Sequence, residues 1–444
     1  MSESPTPREQ TQRAADRLDL EAIWTHQWTR ALELFDHIYG KSAFYTAKLD
    51  AAGFQPGVRW RRRADLGRVP VTTKAELLAD QAAHAPWGTV ISEPPAYYTR
   101  YNQTSGTSGR PLRWIDTPES WQWSLDCWKA VYAGARVTAT DRILFAFSFG
   151  PFYGFWSAFD AAVQLGAHAV PAGGLSSAQR LSLIDAVRPT VICCTPTYAL
   201  RLAEVAATEH PAGWLAERGV RTLIVAGEPG GSIPATRARI ESAWGARVID
   251  HHGLTEVGPI SFECWAAPGF LHLNEDEFLC EVLDPETLLP VPDGEPGELV
   301  VTNLRRFACP AIRYRTGDLV VRDPPPCPCG RASARLRGGI QARVDDMVTI
   351  RGVNVYPSAV EAVVRRFPEV AEYRATVTDT DALRSLSVEI EPAPASACAE
   401  DDLTSQVSAA LHEGLGLAVS VTVASQPLPR FEMKARRFVH NIKP

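Results

Sequence analysis

Residues 104–109 read Thr-Ser-Gly-Thr-Ser-Gly, six small residues of which four carry hydroxyls. Such a run keeps little side chain between its backbone amides and a polyanion. Glycine permits the φ values that turn several N–H groups inward, and the hydroxyls add donors. This is chemistry for a triphosphate, supplied by Thr104, Ser105, Gly106, Thr107, Ser108 and Gly109. No Gly-Lys-Ser/Thr closes the run, so it is not a Walker loop. A second group is softer. Cys327 and Cys329 form a Cys-x-Cys knuckle, with Cys264 and His272 upstream, in a stretch rich in Pro and Gly. Three cysteines and a histidine suit a closed, tetrahedral, structural zinc site. The other cysteines (127, 193, 194, 280, 309 and 398) read as ordinary thiols.

Elements to carry these groups can be read from periodicity. Residues 8–50 have helical spacing. From 140 to 250, apolar runs at 143–149, 190–195, 222–226 and 247–250 alternate with helical stretches at 176–187, 197–207 and 233–244. Such alternation predicts a largely parallel sheet covered on both faces. Between 260 and 340, turn signals at Asp293-Gly294 and Pro296-Gly297 separate short strands. Beyond 343–346 the pattern changes again. Ser358 and Glu361 offer a capping box, followed by helical spacing. Strands at 372–377, 385–390 and 419–423 with a helix at 401–413 complete a small α+β unit. The expectation is an α/β protein in two parts. A large N-terminal domain at 1–342 has a mainly parallel sheet and a β-rich subdomain, and a small mobile C-terminal domain spans 346–444.

Composition excludes several classes. The 444 residues carry 45 basic and 51 acidic side chains, interspersed, for a net charge of −6. There is no basic stripe for nucleic acid. The N-terminus has no basic segment leading into an apolar run, and no apolar stretch approaches the ~20 residues of a membrane span. Nine cysteines, odd in number and unevenly spread, do not make a disulfide framework. A cytoplasmic protein without nucleic-acid or membrane partners is expected.

Further motifs follow the small-residue run in a fixed order. Gly227-Glu228-Pro229 follows a buried-looking strand, at the kind of edge where open α/β sheets bind ligands. Asp250-His251-His252-Gly253-Leu254-Thr255-Glu256 ends the next strand. Then come Tyr314-Arg315-Thr316-Gly317-Asp318, the junction Arg343-Val344-Asp345-Asp346, and Pro429–Arg437 around Lys434. The ordered set, over roughly 30–444, resembles the adenylate-forming enzymes: acyl-CoA synthetases, peptide-synthetase adenylation domains and luciferases. The cysteine pattern, Glu275-Asp276, Arg313-Tyr314-Arg315 and the segment Arg68–Lys74 are similar to those of phenylacetate–CoA ligases and their relatives.

The resemblance implies roles. Residues 104–109 hold ATP phosphates, and Gly227, Glu228 and Pro229 border the adenine. His251, His252 and Gly253 belong to the nucleotide site, with His252 where the family commonly has Tyr. Thr255 reaches a phosphate oxygen, Glu256 holds Mg²⁺, Asp318 takes the ribose hydroxyls and Arg343 contacts ribose or phosphate. Asp345 is the pivot of the mobile domain, and Lys434 stabilises the meeting of carboxylate and α-phosphate. The implied reaction is ATP-dependent activation of an acid as its adenylate, then transfer to CoA. A carrier protein or an amine is the alternative acceptor, and a non-catalytic nucleotide-binding relative is the alternative class. Phe145, Phe147, Phe149, Phe152, Tyr153, Phe155 and Trp156 crowd one strand and its turn, which points to an aryl acid. Phe152, Tyr153 and Gly154, read as loop, are the substrate contacts to expect. ATP, Mg²⁺, CoA and structural Zn²⁺ are the expected cofactors and co-substrates, and a homodimer is the alternative to a single chain.

Overall fold

The computed structural model describes residues 20–56, 63–104, 110–351, 353–380, 383–394, 398–431 and 436–441. A two-stranded hairpin, β1 (Arg100–Gln103) and β2 (Arg113–Asp116), stands apart from a twelve-stranded sheet. In that sheet β3 (Arg142–Phe145), β4 (His168–Pro171), β5 (Val191–Cys194), β6 (Thr222–Val225) and β7 (Arg247–Leu254) are parallel, in the order 4-3-5-6-7. The antiparallel remainder runs through β8 (Gly258–Glu263), β9 (Phe270–Leu273), β10 (Phe278–Leu283), β11 (Pro296–Asn303), β12 (Tyr314–Asp323), β13 (Arg335–Arg337) and β14 (Ala342–Arg343). This matches the expected α/β class with a β-rich half.

The parallel strands are short and apolar because both faces are covered. Ile143, Phe145, Val191, Cys193, Ile224 and Ile249 pack on one side, against helices Pro118–Gly134 and Tyr153–Leu165. Their neighbours Leu144, Ile192, Cys194, Leu223, Val225 and Val248 pack on the other. There the cover is helices Ser177–Val187, Pro196–Glu209 and Pro234–Trp244. Adjacent residues of a strand point to opposite faces, so each run needs apolar residues throughout. Three of the helix starts are chemically explicit. Thr117 and Thr195 cap helices that open on proline, and Ser176 with Gln179 forms a capping box. A third core joins helices Leu20–Ile38 and Ala43–Ala51 to β10, β11 and β12.

A separate core closes the C-terminal part. β15 (Val348–Ile350) and β16 (Val353–Val355) form a hairpin, and β17 (Val370–Thr380), β18 (Leu383–Pro392), β19 (Ser420–Val423) and β20 (Phe438–Asn441) form a sheet in the order 19-18-17-20. Val360 and Val363 of helix Pro357–Val364 and Val407 and Leu411 of helix Glu400–Leu415 pack with Val388 and Ile390 of that sheet. One expectation is corrected here. The cap of helix Pro357–Val364 is Tyr356, without a side-chain hydrogen bond, so Ser358 lies inside the first turn. Its hydroxyl instead donates to the carbonyl of Gln341. Proline at the first helical position removed one orphan donor, and the capping box was not needed.

Candidate functional site

The six-residue run sits between β1 and β2. Thr104 N–H donates to Leu112 O at 3.0 Å, and Leu112 N–H returns to Thr104 Oγ1 at 3.0 Å. Thr104 is therefore buried and closes the neck of the loop. Ser105, Gly106, Thr107, Ser108 and Gly109 lie outside the described residues.

Beyond the neck, β2 ends at Asp116, which takes both arms of Arg306 at 2.7 and 2.6 Å. The same guanidinium donates through Nη1 to the carbonyls of Thr255 at 3.0 Å and Glu256 at 3.4 Å. It also lies over the rings of Trp114 and Tyr153. Both members of the pair are fully buried. Such a pair persists only where bidentate geometry and extra hydrogen bonds offset the lost hydration. One buried cation thus fixes the hairpin, the 255–256 turn and Tyr153 relative to one another.

The Glu256 side chain is itself buried. Its Oε1 accepts from Tyr314 OH at 3.1 Å and lies 3.5 Å from Lys74 Nζ. Lys74 opens helix Lys74–Ala83, whose start is fixed by a Thr73–Glu76 capping box. Gly258, at φ +113°, lets the chain turn back after Glu256, and a Cβ there would lie 2.9 Å from the Trp123 ring.

His252 and Arg343 bracket Asp318. Asp318 Oδ2 lies 2.9 Å from His252 Nε2, and Oδ1 accepts from Arg343 Nη1 at 3.0 Å. Arg343 also donates to Thr316 O and lies 3.4 Å from Asp345. The close approach needs Gly317, at φ +74°, because a Cβ would stand 2.9 Å from the Arg343 guanidinium. The Asp345 side chain is largely exposed. His251, which the resemblance puts in the nucleotide site beside His252, has a buried ring. It is buried against Trp128, 4.5 Å between ring centres, with Nδ1 2.8 Å from Ser261 O. Burial pushes its pKa down to about 4, against the hydrogen bond to Ser261.

Gly227, at φ +94°, begins the turn after β6, and Glu228 Oε1 accepts the backbone N–H of Thr197 at 2.9 Å. A Cβ on Gly230 would stand 2.7 Å from Pro196, so the Gly227–Pro229 turn leads directly onto the first turn of helix Pro196–Glu209. Gly253 is exposed, and a Cβ there would meet Gly258 O at 2.7 Å.

The loop assignment of the substrate trio is corrected. Helix Tyr153–Leu165 starts at Tyr153, with Phe152 as its cap and Gly154 in its first turn. Tyr153 is buried beneath Arg306 and edge-on to Trp121. Phe147 stacks on Phe155 at 4.0 Å, and Phe149 meets Trp156 at 4.7 Å, so much of the aromatic run packs on itself. Phe152 stays half-buried and Gly154 exposed.

Cys264, His272, Cys327 and Cys329 do converge. Their ligand atoms all lie within 4.8 Å of one another, with Cys264 Sγ–Cys327 Sγ at 3.7 Å and Cys329 Sγ–His272 Nε2 at 3.5 Å. The other ring nitrogen of His272 lies 2.9 Å from Ser333 Oγ.

The family model of the AMP-binding enzymes matches residues 76–304, and that of the AMP-binding enzyme C-terminal domain matches 352–441. The chain is 34% identical to a phenylacetate-coenzyme A ligase of Thermus thermophilus, over 85% of this chain and 83% of that one. The chain belongs to the AMP-binding enzyme family. Within this family it is an AMP-forming acid–CoA ligase. Its fold superposes on 2-hydroxyisobutyryl-CoA ligase in the postadenylation state, in complex with R3-HIB-AMP. The TM-score is 0.88 at 30% identity, over 96% of this chain and 91% of that one. Against the same ligase with 2-HIB-AMP and CoA in the thioesterification state, at 31% identity and equal coverage, the TM-score falls to 0.72. Coverage is unchanged, so the drop reflects arrangement. The chain is thus more similar to the postadenylation form of that ligase than to its thioesterification form.

Sequence reasoning missed Arg306 and Lys74 as parts of this cluster. Arg306 meets Asp116 across 190 positions, and no local pattern marks such a partnership. Lys74 had a signal, since Thr73-Lys74-Ala75-Glu76 is a capping box and a lysine at a helix's first turn opposes the dipole there.

The buried imidazole gives a pH-dependent test. His251 is neutral in the fold but titrates near 6.5 when unfolded, so its contribution is complete above that pH and is lost as pH falls toward 4. At pH 5 the loss is about 2 kcal/mol relative to pH 8. Urea unfolding of wild type and His251→Gln at both pH values should show the difference shrinking by about that amount in the variant. An unchanged difference would place the titration elsewhere.

Proposed function

We propose that this AMP-forming ligase activates an aryl carboxylic acid as its acyl-adenylate and then passes the acyl group to CoA. The observation that carries the reading is the convergence of the β1–β2 loop neck, Glu256 and the Asp318–Arg343 pair, with Gly227–Pro229 on the same edge of the sheet. The named phenylacetate ligases among its relatives and the aromatic run at 145–156 favour an aryl acid.

In this reading the acid's carboxylate attacks the α-phosphorus of ATP, and the bond to the pyrophosphate oxygen breaks. The 104–109 loop and Lys434 stabilise the charge that builds there. Lys434 lies outside the described residues. Asp318 and Arg343 hold the ribose, and His252 lies on the same side through its contact with Asp318. Thr255 faces the phosphates. Glu256 would hold Mg²⁺, which neutralises phosphate charge when bound. Its buried carboxylate offers the kind of oxygen ligand that Mg²⁺ takes. Residues 1–342 and 346–444 act as two bodies about a hinge at 343–346. Asp345 suits a pivot because its exposed side chain does not resist a change in φ/ψ. Phe152 and Gly154 are the substrate contacts we retain. Cytoplasmic chemistry is supported by nine cysteines, none of them in a disulfide.

Zinc is the remaining assignment. Bonds of about 2.3 Å to sulfur in a tetrahedral site put sulfurs roughly 3.8 Å apart, close to the separations found at Cys264, His272, Cys327 and Cys329. Ser333 would orient His272, as outer-shell partners do.

Lys434→Ala should abolish pyrophosphate exchange with acid and ATP while largely sparing thioester formation from a supplied acyl-adenylate. Equal loss of both would make the lysine structural. For the metal, about one zinc per purified chain is expected from the four-ligand set. Cys327→Ser/Cys329→Ser should lose that zinc together with stability, as thermal unfolding would show. A metal-free wild type of full stability rules zinc out.

A further inference from the structure

Among the described residues, helix Pro196–Glu209 has side-chain contacts with the C-terminal part at two points. Thr197 and Glu204 stand seven residues apart, two turns along one face. Arg430 and Arg437 also stand seven apart, and they bracket Lys434. Arg437 Nη1 donates to Thr197 Oγ1 at 3.1 Å, and Arg430 Nε lies 3.2 Å from Glu204 Oε2.

Each arginine is held from its own side before it reaches the helix. Arg437 grips Glu372 at 2.6 and 3.0 Å, and Glu372 also takes Arg365. Arg430 grips Glu391 with two donors at 2.8 and 2.9 Å. A guanidinium fixed by a bidentate carboxylate offers its remaining donor in a set direction, with little rotamer freedom left to lose. The two points differ in strength. Arg437 and Thr197 are buried, whereas Arg430 and Glu204 are partly open to water and contribute less. The helix end is in turn tied to the Gly227–Pro229 turn, through Thr197 N–H to Glu228.

We infer that Arg437, assisted by Arg430, is a positioning residue. The two arginines hold the C-terminal part against helix Pro196–Glu209 in the arrangement that forms the adenylate, and Thr197 joins this dock to the Gly227–Pro229 turn. The inference rests on the proposed role of Lys434, which lies three residues from Arg437, within roughly 11 Å of extended chain. The dock must open before the thioester-forming arrangement is reached.

The test alters the receiving helix, leaving both arginines with their own carboxylates. Thr197→Val should lower pyrophosphate exchange at saturating ATP about tenfold, the effect of losing one hydrogen bond to a charged group. Glu204→Ala should lower it about twofold to threefold, as befits a half-exposed pair. Thioester formation from a supplied acyl-adenylate should be unchanged in both. Thr197→Ser, which keeps the hydroxyl, should retain exchange. Arg374→Ala breaks an ion pair internal to the C-terminal sheet and should leave both half-reactions as in wild type. Unchanged exchange in Thr197→Val, or parallel loss of both half-reactions, overturns the dock. Lys434→Ala run alongside separates the two failures. If that variant loses both half-reactions equally, the reading of Lys434 fails, whereas a split in Lys434→Ala with none in Thr197→Val defeats the dock alone.

Discussion

The site depends on one buried ion pair, Arg306 with Asp116. The 104–109 run consists of glycine and short hydroxyl residues, which offer little side chain to anchor a loop. Its place must come from its stem, and the stem ends at Asp116. The turn carrying Glu256 has the same difficulty, since the chain reverses there through Gly258. Arg306 meets both needs, with two donors on the Asp116 carboxylate and a third on the backbone of the turn. Removing either partner would leave a fully buried charge without its counterion, which typically costs about 3–5 kcal/mol. The pair is best understood as setting geometry, because desolvation cancels much of its contribution to stability.

The contrast with the contacts to the C-terminal part is physical. Around Arg306 water is excluded and the donors are fixed, so this side of the cluster is rigid. Among the described residues, contacts across to the C-terminal part include single hydrogen bonds from arginines, Arg437 to Thr197, Arg430 to Glu204 and Arg239 to the carbonyl of Val370, and one from Ser358 to the carbonyl of Gln341. Polar contacts of this kind specify one arrangement without the deep apolar burial that would make it permanent. The apolar clusters support the same division, since the C-terminal core closes on itself.

What could be read from the sequence was what local patterns encode. Alternating strands and helices between 140 and 250 were legible because a doubly covered parallel sheet requires apolar runs and Pro- or Ser-headed helices. Asp318 and His252 were legible because each lies in a compact motif. Arg306, Lys74 and the Arg437–Thr197 contact were not, because each joins segments far apart in sequence. The errors have local causes. Ser358 and Glu361 have the spacing of a capping box, but the helix starts two residues earlier, at Pro357 with Tyr356 as its cap, and frees the hydroxyl for Gln341. Phe152, Tyr153 and Gly154 looked like loop because of the glycine. Yet Tyr153 has Arg306 and Trp121 to pack on, and tertiary contact outweighs the weak helix propensity of these residues.

The cysteine–histidine cluster acquires a purpose from where it lies. In the strand order, β7 with His252 and β12 with Asp318 are separated by β8, β9 and β13. Their side chains nevertheless meet at 2.9 Å, so the antiparallel half must curl back on the parallel half. Cys264 follows β8, His272 lies in β9, and Cys327 and Cys329 lie in the connection from β12 to β13. These are the segments that make the curl. A four-coordinate ion there would hold them with bonds rather than with packing, in a region whose apolar cluster is small. The Asp318 carboxylate and the soft ligand set, far apart in their chemistry, then depend on the same bend in the sheet.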